Sequence, residues 1–248
     1  MLYLILSLLL IFPLIANNTN QINPEELHID DLGEDILFVG LGSYCEAADI
    51  LKSCGVRKAA FPFDWILSTD SKKLIKILEN DFSHFLEEKY LVPAKSSNMI
   101  LLQTYYNMEF HHEGEWRGDS YYLERTMGKL VEKYKKRIER FRQLKSYKGK
   151  VFFIRFANKY SLEPNIYYQN KENIEITDES SLELHKALEE YFPELNFHLI
   201  IVNVHKHEGI EEEKQLLDNL LLIRTNPVQS LPVKTAAYRS LFSKLLSY

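Results

Sequence analysis

The stretch "DILFVGLGSYCEAADILKSCG", residues 35–55, joins an apolar run to a helical pattern through a glycine-containing turn. Ile36 to Val39 are strand-forming residues, and Gly40 and Gly42 follow at once. That combination predicts a buried strand ending in a tight turn. From residue 45 the period changes. Ala47, Ala48, Ile50 and Leu51 cluster on one side at helical spacing, Glu46 falls in the first turn, and Gly55 supplies a stop.

The same alternation runs outward from this unit. "SKKLIKILEN" (71–80) is an amphipathic helix and "NMILLQTYY" (98–106) a strand. "RKAAFPFDWI" (57–66) reads as an extended segment broken by Pro62. In residues 121–147, Leu123, Met127, Leu130, Tyr134, Ile138 and Phe141 recur at steps of three and four, the mark of one helix with a single apolar stripe. "KVFFIRF" (150–156), "FHLIIVNV" (197–204) and "LLLIRT" (220–225) are further continuous apolar runs. Helical patterns lie between them at 178–192 and around 210–217, and 231–248 closes the chain as a helix with Pro232 near its start. Residues 161–173 read as a long surface loop. Strands that are buried runs, rather than half-polar alternations, predict an α/β protein: a three-layer sandwich with a mostly parallel central sheet.

The chain has 248 residues, 46% hydrophobic and 26% charged, an ordinary globular balance with material for a full core. Its net charge of -5 argues against a nucleic-acid partner. Residues 1–16, "MLYLILSLLLIFPLIA", are too short for a comfortable membrane span and fit the apolar region of an export signal, or an anchor if uncleaved. A polar spacer (17–34) and one α/β domain (35–248) are expected to follow.

Two cysteines, Cys45 and Cys54, stand nine positions apart. On one helix their Cα atoms would be about 13 Å apart and on nearly opposite faces. A disulfide needs them within about 7 Å. If the helix forms, Cys45 is either a small core residue or a reactive thiol. The second reading has a physical route. At a strand-to-helix turn, free backbone N–H groups and the helix dipole favour a thiolate and can hold an oxyanion. The turn also lies at the strand end where such sheets bind ligands. Ser43 is a second nucleophile candidate on the same turn, as in a serine esterase or acyl transferase.

A thiolate nucleophile needs a base. His111 and His112 sit in "NMEFHHEGEWRGDS", a polar stretch ahead of the long helix. His205 and His207 form "HKH", too little for a metal site without a third ligand, so no metal and no cofactor enter the reading. In "FPFDW" (61–65), Asp64 is a carboxylate among aromatics that must pair with something: a histidine, Arg57, Arg155 or a helix end. Arg155 and Arg224 each end an apolar strand, where a guanidinium can bind an anionic substrate group. The basic residues of the long helix, Arg137 and Arg140 among them, read as a solvated face.

The block from Leu41 to Trp65 resembles a family of uncharacterised proteins described as papain-like cysteine peptidases. The residues that carry the likeness are Leu41, Gly42, Cys45, Arg57, Pro62, Phe63, Asp64 and Trp65. "EFHHE" (109–113) is similar to the family's histidine segment and favours His112; the basic helix and "KVFFIRF" follow in the same order. The resemblance implies Cys45 as nucleophile, His112 as base and a papain-like α+β fold as the alternative architecture. Asp64 is expected to orient or pair within the site, with Gly42, Ser43, Arg57 and Arg155 binding substrate. The substrate is then a peptide or another acyl compound. The competing class is a non-catalytic anion-binding or effector module.

Overall fold

The computed structural model describes residues 23–42, 46–68, 70–94, 97–111, 115–117, 120–122, 124–158, 177–204, 212–225, 238–243 and 245. Residues 1–16, expected to be an export signal, Ser43, Cys45, His112, residues 161–173, expected to be a loop, and the "HKH" triplet lie outside them.

Strand β1 (Leu37–Gly40) leads through Leu41 and Gly42 towards helix α1 (Glu46–Ser53). Strands β8 (Val151–Asn158), β9 (Phe197–Val204), β10 (Glu212–Leu217) and β11 (Leu220–Thr225) complete a sheet of order β1-β8-β9-β11-β10. All its pairings are parallel except β10 with β11. The alternation of side chains across each strand builds two cores. Leu37, Val39, Val151, Phe153, Leu199, Ile201, Leu220 and Leu222 enter one. Phe38, Phe152, Ile154, Phe156, Ile200 and Val202 enter the other. Burying such a side chain contributes about 1.5–3 kcal/mol. Both faces must therefore be covered, and both are. Helices α2 (Ser71–Glu79), α3 (Glu124–Gln143) and α4 (Asp178–Tyr191) close the first core. Helix α1 and the C-terminal helical residues Tyr238 and Phe242 close the second. The architecture is an α/β fold with a mostly parallel central sheet.

Between α1 and α3 the chain builds a second, antiparallel sheet of order β2-β5-β4-β3. Its strands are β2 (Ile66–Leu67), β3 (Leu91–Ala94), β4 (Ser97–Gln103) and β5 (Met108–His111). A hairpin, β6 (Glu115–Arg117) with β7 (Ser120–Tyr122), precedes α3. The helices start where local chemistry tells them to. The Asp70 carboxylate accepts from the Lys72 N–H at 2.8 Å to cap α2, and Thr177 with Ser180 forms a capping box on α4.

Three sequence expectations change. Residues 212–217 form a strand rather than a helix, because Asp218 and Asn219 turn the chain back into a hairpin with β11. The segment expected to be a spacer packs on the domain from residue 23 onward: Ile29 is in the core, and the Ala60 N–H donates to the Pro24 carbonyl at 3.1 Å. Two arginines of the basic helix are buried rather than solvated. Arg137 binds the Glu25 carboxylate. Arg140 donates to the carbonyls of Leu27, Glu25 and Ala60. No described helix is long and apolar enough to cross a membrane.

Candidate active site

The site grows from the end of β1. The Leu41 N–H donates to the Ile154 carbonyl of β8 at 2.8 Å, which carries the parallel ladder one residue past the strand. Gly42 then turns with φ +70°, a left-handed conformation that favours glycine. Space excludes a side chain as well. A Cβ on Gly42 would lie 3.0 Å from Ser68 Oγ, 3.2 Å from the Phe63 carbonyl oxygen and 3.3 Å from that of Ile66. A Cβ on Gly40 would lie 3.1 Å from Asp64 Oδ1. The two glycines thus let β1 close directly onto residues 63–68.

That segment is itself held from several sides. Asp64, 1% exposed, accepts on Oδ2 from Arg57 Nη2 at 2.7 Å, from Arg57 Nε at 3.1 Å and from the Phe61 N–H at 3.0 Å. Of the partners expected for this carboxylate, Arg57 is the one found among the described residues. The Arg57 guanidinium also lies 6.0 Å from the Trp65 ring centroid. Phe63 packs its ring against Phe82, Phe85 and Phe141, which fixes the segment into the core.

Arg155 closes the arrangement from β8. Its Nη1 donates to the Leu41 carbonyl at 2.7 Å and to Ser68 Oγ at 3.2 Å, and its Nη2 donates to the Ser68 carbonyl at 2.8 Å. Arg155 was expected to meet a substrate anion. In the structure it is fully buried, with both terminal nitrogens used on the protein and its Nε without a partner among the described residues. Burial pushes the guanidinium down to about 10, so it stays charged at neutral pH. Arg224 is half-buried at the same end of the sheet.

On the far side, Ile66 pairs with Phe110 and Leu67 with Glu109, joining β2 to β5. β5 ends at His111, one residue before His112. Glu109 is buried, and Lys73 of α2 donates to the Asn107 carbonyl at 3.1 Å. Burial holds the Lys73 ammonium below its usual value, against the pull of Asp70 and Glu109.

His185 and His198 serve elsewhere. His185 meets Asn219 Oδ1 at 2.8 Å, and His198 packs at a tilt on Phe152 with ring centroids 5.2 Å apart. Burial lowers the His198 value. Cys54 follows α1 with its N–H on the Ile50 carbonyl; burial pushes its thiol up. The described residues hold no group of three or more His, Cys, Asp or Glu arranged for a metal ion. Sequence reasoning missed Ser68, whose carbonyl and hydroxyl both meet Arg155; a serine after a short strand carries no local signal for that role.

A glycine turn at the end of a parallel strand is thus locked to the "PFDW" segment, which leads into the β2 strand that pairs with β5. The chain belongs to the family described as "Putative papain-like cysteine peptidase (DUF1796)", which it matches over residues 36–208. It is also 34% identical over 74 residues to "Uncharacterized protein R408" of Acanthamoeba polyphaga mimivirus. That stretch is 29% of this chain and 33% of the viral protein, so the chain spans about a third of that relative's length. No solved structure matches the chain.

Proposed function

We propose that the protein is a cysteine-dependent hydrolase of peptide or other acyl substrates, with Cys45 as nucleophile and His112 as proton shuttle. The observation that carries this reading is a shared anchor. The chain leading to Cys45 closes on residues 63–68 through Gly40 and Gly42. The chain leading to His112 pairs with the same segment through Ile66 and Leu67. One short, buried stretch therefore holds the neighbours of both residues.

In this reading the Cys45 thiolate attacks a carbonyl carbon, and the C–S bond forms as the carbonyl oxygen becomes an oxyanion. Backbone N–H groups of the Gly42-to-Cys45 turn, Ser43 included, stabilise that charge. The His112 imidazolium gives its proton to the departing amine or alkoxide. It then takes one from the water that cleaves the thioester and returns Cys45 to the thiolate. Asp64 and Arg57 act by holding the wall of the site. The buried guanidinium of Arg155 weighs against the anion-binding module, which needs an open cation there.

The test is labelling with iodoacetamide at pH 6, the modified residue being mapped by peptide mass. Rapid alkylation of Cys45, slowed by His112→Ala, is the expected result. Cys45 reacting no faster than a free thiol would falsify the reading.

A further inference from the structure

We infer that the protein has a second binding site, for a small branched alkylammonium compound, in a cavity between the central sheet and the C-terminal helical residues. It does not depend on the proposed hydrolase. The cavity lies at the starts of β8 and β9, whereas the Gly42 turn follows the end of β1, which runs parallel to β8. Its volume is about 90 Å³. Strand register assembles one wall. Phe152 pairs with His198, Ile200 with Leu221 and Leu221 with Gln215, so these side chains share one face of the sheet. Leu241 and Leu245 cover them. Phe152 and Ile200 are buried, while Gln215 and Asp218 at the mouth are exposed. A ligand therefore enters apolar end first and leaves its polar end at the rim.

The polar groups of the lining set the charge of that end. Asn219 is used internally: its Nδ2 donates to the Phe197 carbonyl at 3.3 Å, and its Oδ1 accepts from His185 Nε2 at 2.8 Å. Gln215 Nε2 donates to the Leu217 carbonyl, which leaves its Oε1. Among the described residues, nothing meets that oxygen, the Asp218 carboxylate or the His198 ring nitrogens. Burial and the charge of Lys150 hold the His198 imidazole below its usual value, so at pH 7 one ring nitrogen is an acceptor. Glu213 adds a second carboxylate, and no Lys or Arg lines the cavity. A wall of acceptors suits a group that only donates, and a primary ammonium has three donors and no acceptor. Size sets the body. A cavity of about 150 Å³ holds benzene, so this one suits roughly three or four carbons. A lysine side chain from another protein would enter charge first and set its ammonium among Phe152, Ile200 and Leu221, away from these acceptors.

The experiment is an NMR titration of the full chain at pH 7, read at the His198 Cε1–H, which is assigned by its loss in His198→Gln. Isobutylamine, protonated at this pH, is the probe. Isobutanol and isovalerate present the same branched body with no charge and with the opposite charge. Isobutylamine is expected to shift the resonance saturably, with a dissociation constant in the millimolar range. Isobutanol should bind about ten-fold more weakly, and isovalerate should not bind. Asp218→Asn, an exposed change, is expected to weaken isobutylamine about five-fold. Leu221→Phe, which fills the cavity, should abolish the shift; if it does not fold, Asp218→Asn decides. No saturation by isobutylamine in the millimolar range overturns the site. Equal binding of the three probes, tighter binding of isovalerate, or unchanged affinity in Asp218→Asn overturns recognition of an ammonium, and with it the inference.

Discussion

Asp64 and Arg57 form a closed pair in which one carboxylate oxygen takes two guanidinium bonds, 2.7 and 3.1 Å long, while the other faces Gly40. The carboxylate is 1% exposed and the guanidinium side chain 10%. A charge this deep is tolerable only with its partner in place.

Removing either partner is therefore expected to be costly. Arg57→Ala or Asp64→Ala should each lower unfolding free energy by about 3–5 kcal/mol, read from urea denaturation. The double variant should lose much less than the sum of the two. Additive losses would show that the pair does not act as a unit.

Gly42 permits a local test. Alanine there must adopt φ near +70° and place its Cβ 3.0 Å from Ser68 Oγ and 3.2 Å from the Phe63 carbonyl oxygen. The conformational strain alone is worth about 1–3 kcal/mol. Gly42→Ala should lower the thermal midpoint, and Gly42→Val should lower it further. Unchanged stability in both would mean that the turn is not left-handed.

Glu25 links the N-terminal segment to pH. Burial opposes its ionisation, but the hydrogen bonds and charge of Arg137 more than offset this and hold its value below the usual 4.5. A carboxylate lowered on folding contributes stability that is fully present above its unfolded value. That contribution is lost as pH falls through the folded value. Unfolding free energy should thus decline below about pH 4.5. Glu25→Gln should be less stable at pH 7 and show a shallower acid limb. Parallel acid limbs in the two proteins would remove Glu25 from the account.

How much of this was legible in sequence depended on where each element's partners lie. "FHLIIVNV" and "LLLIRT" were bounded correctly because both faces of each strand pack against a core, so apolar residues run without a break through 199–202 and 220–223. The edge strand "EEKQLL" shows no such run. Glu213, Lys214 and Gln215 are exposed, and its identity comes from pairing with β11. β2 and β5, at two and four residues, are too short to display a period at all. Arg137 and Arg140 sit among lysines of the same helix, and nothing local separates them. What buries them is Glu25 and Leu27, more than a hundred positions away. In the site, Asp64 announced itself as a carboxylate in need of a partner; that Arg57 would supply it was one of several open choices.

Among the described residues β1 is an outermost strand, so its end at Leu41 and Gly42 has sheet on one flank only. β8 supplies that flank with the residues that complete the ladder. The opposite flank comes from residues 61–68 and the antiparallel strands joined to them. If the proposed hydrolase reading holds, substitution or lengthening within this insert would recontour the wall that a substrate meets while the parallel strands stay as they are. On that reading, the parallel sheet and the insert would answer for different things: the one for where β1 ends, the other for what reaches that end.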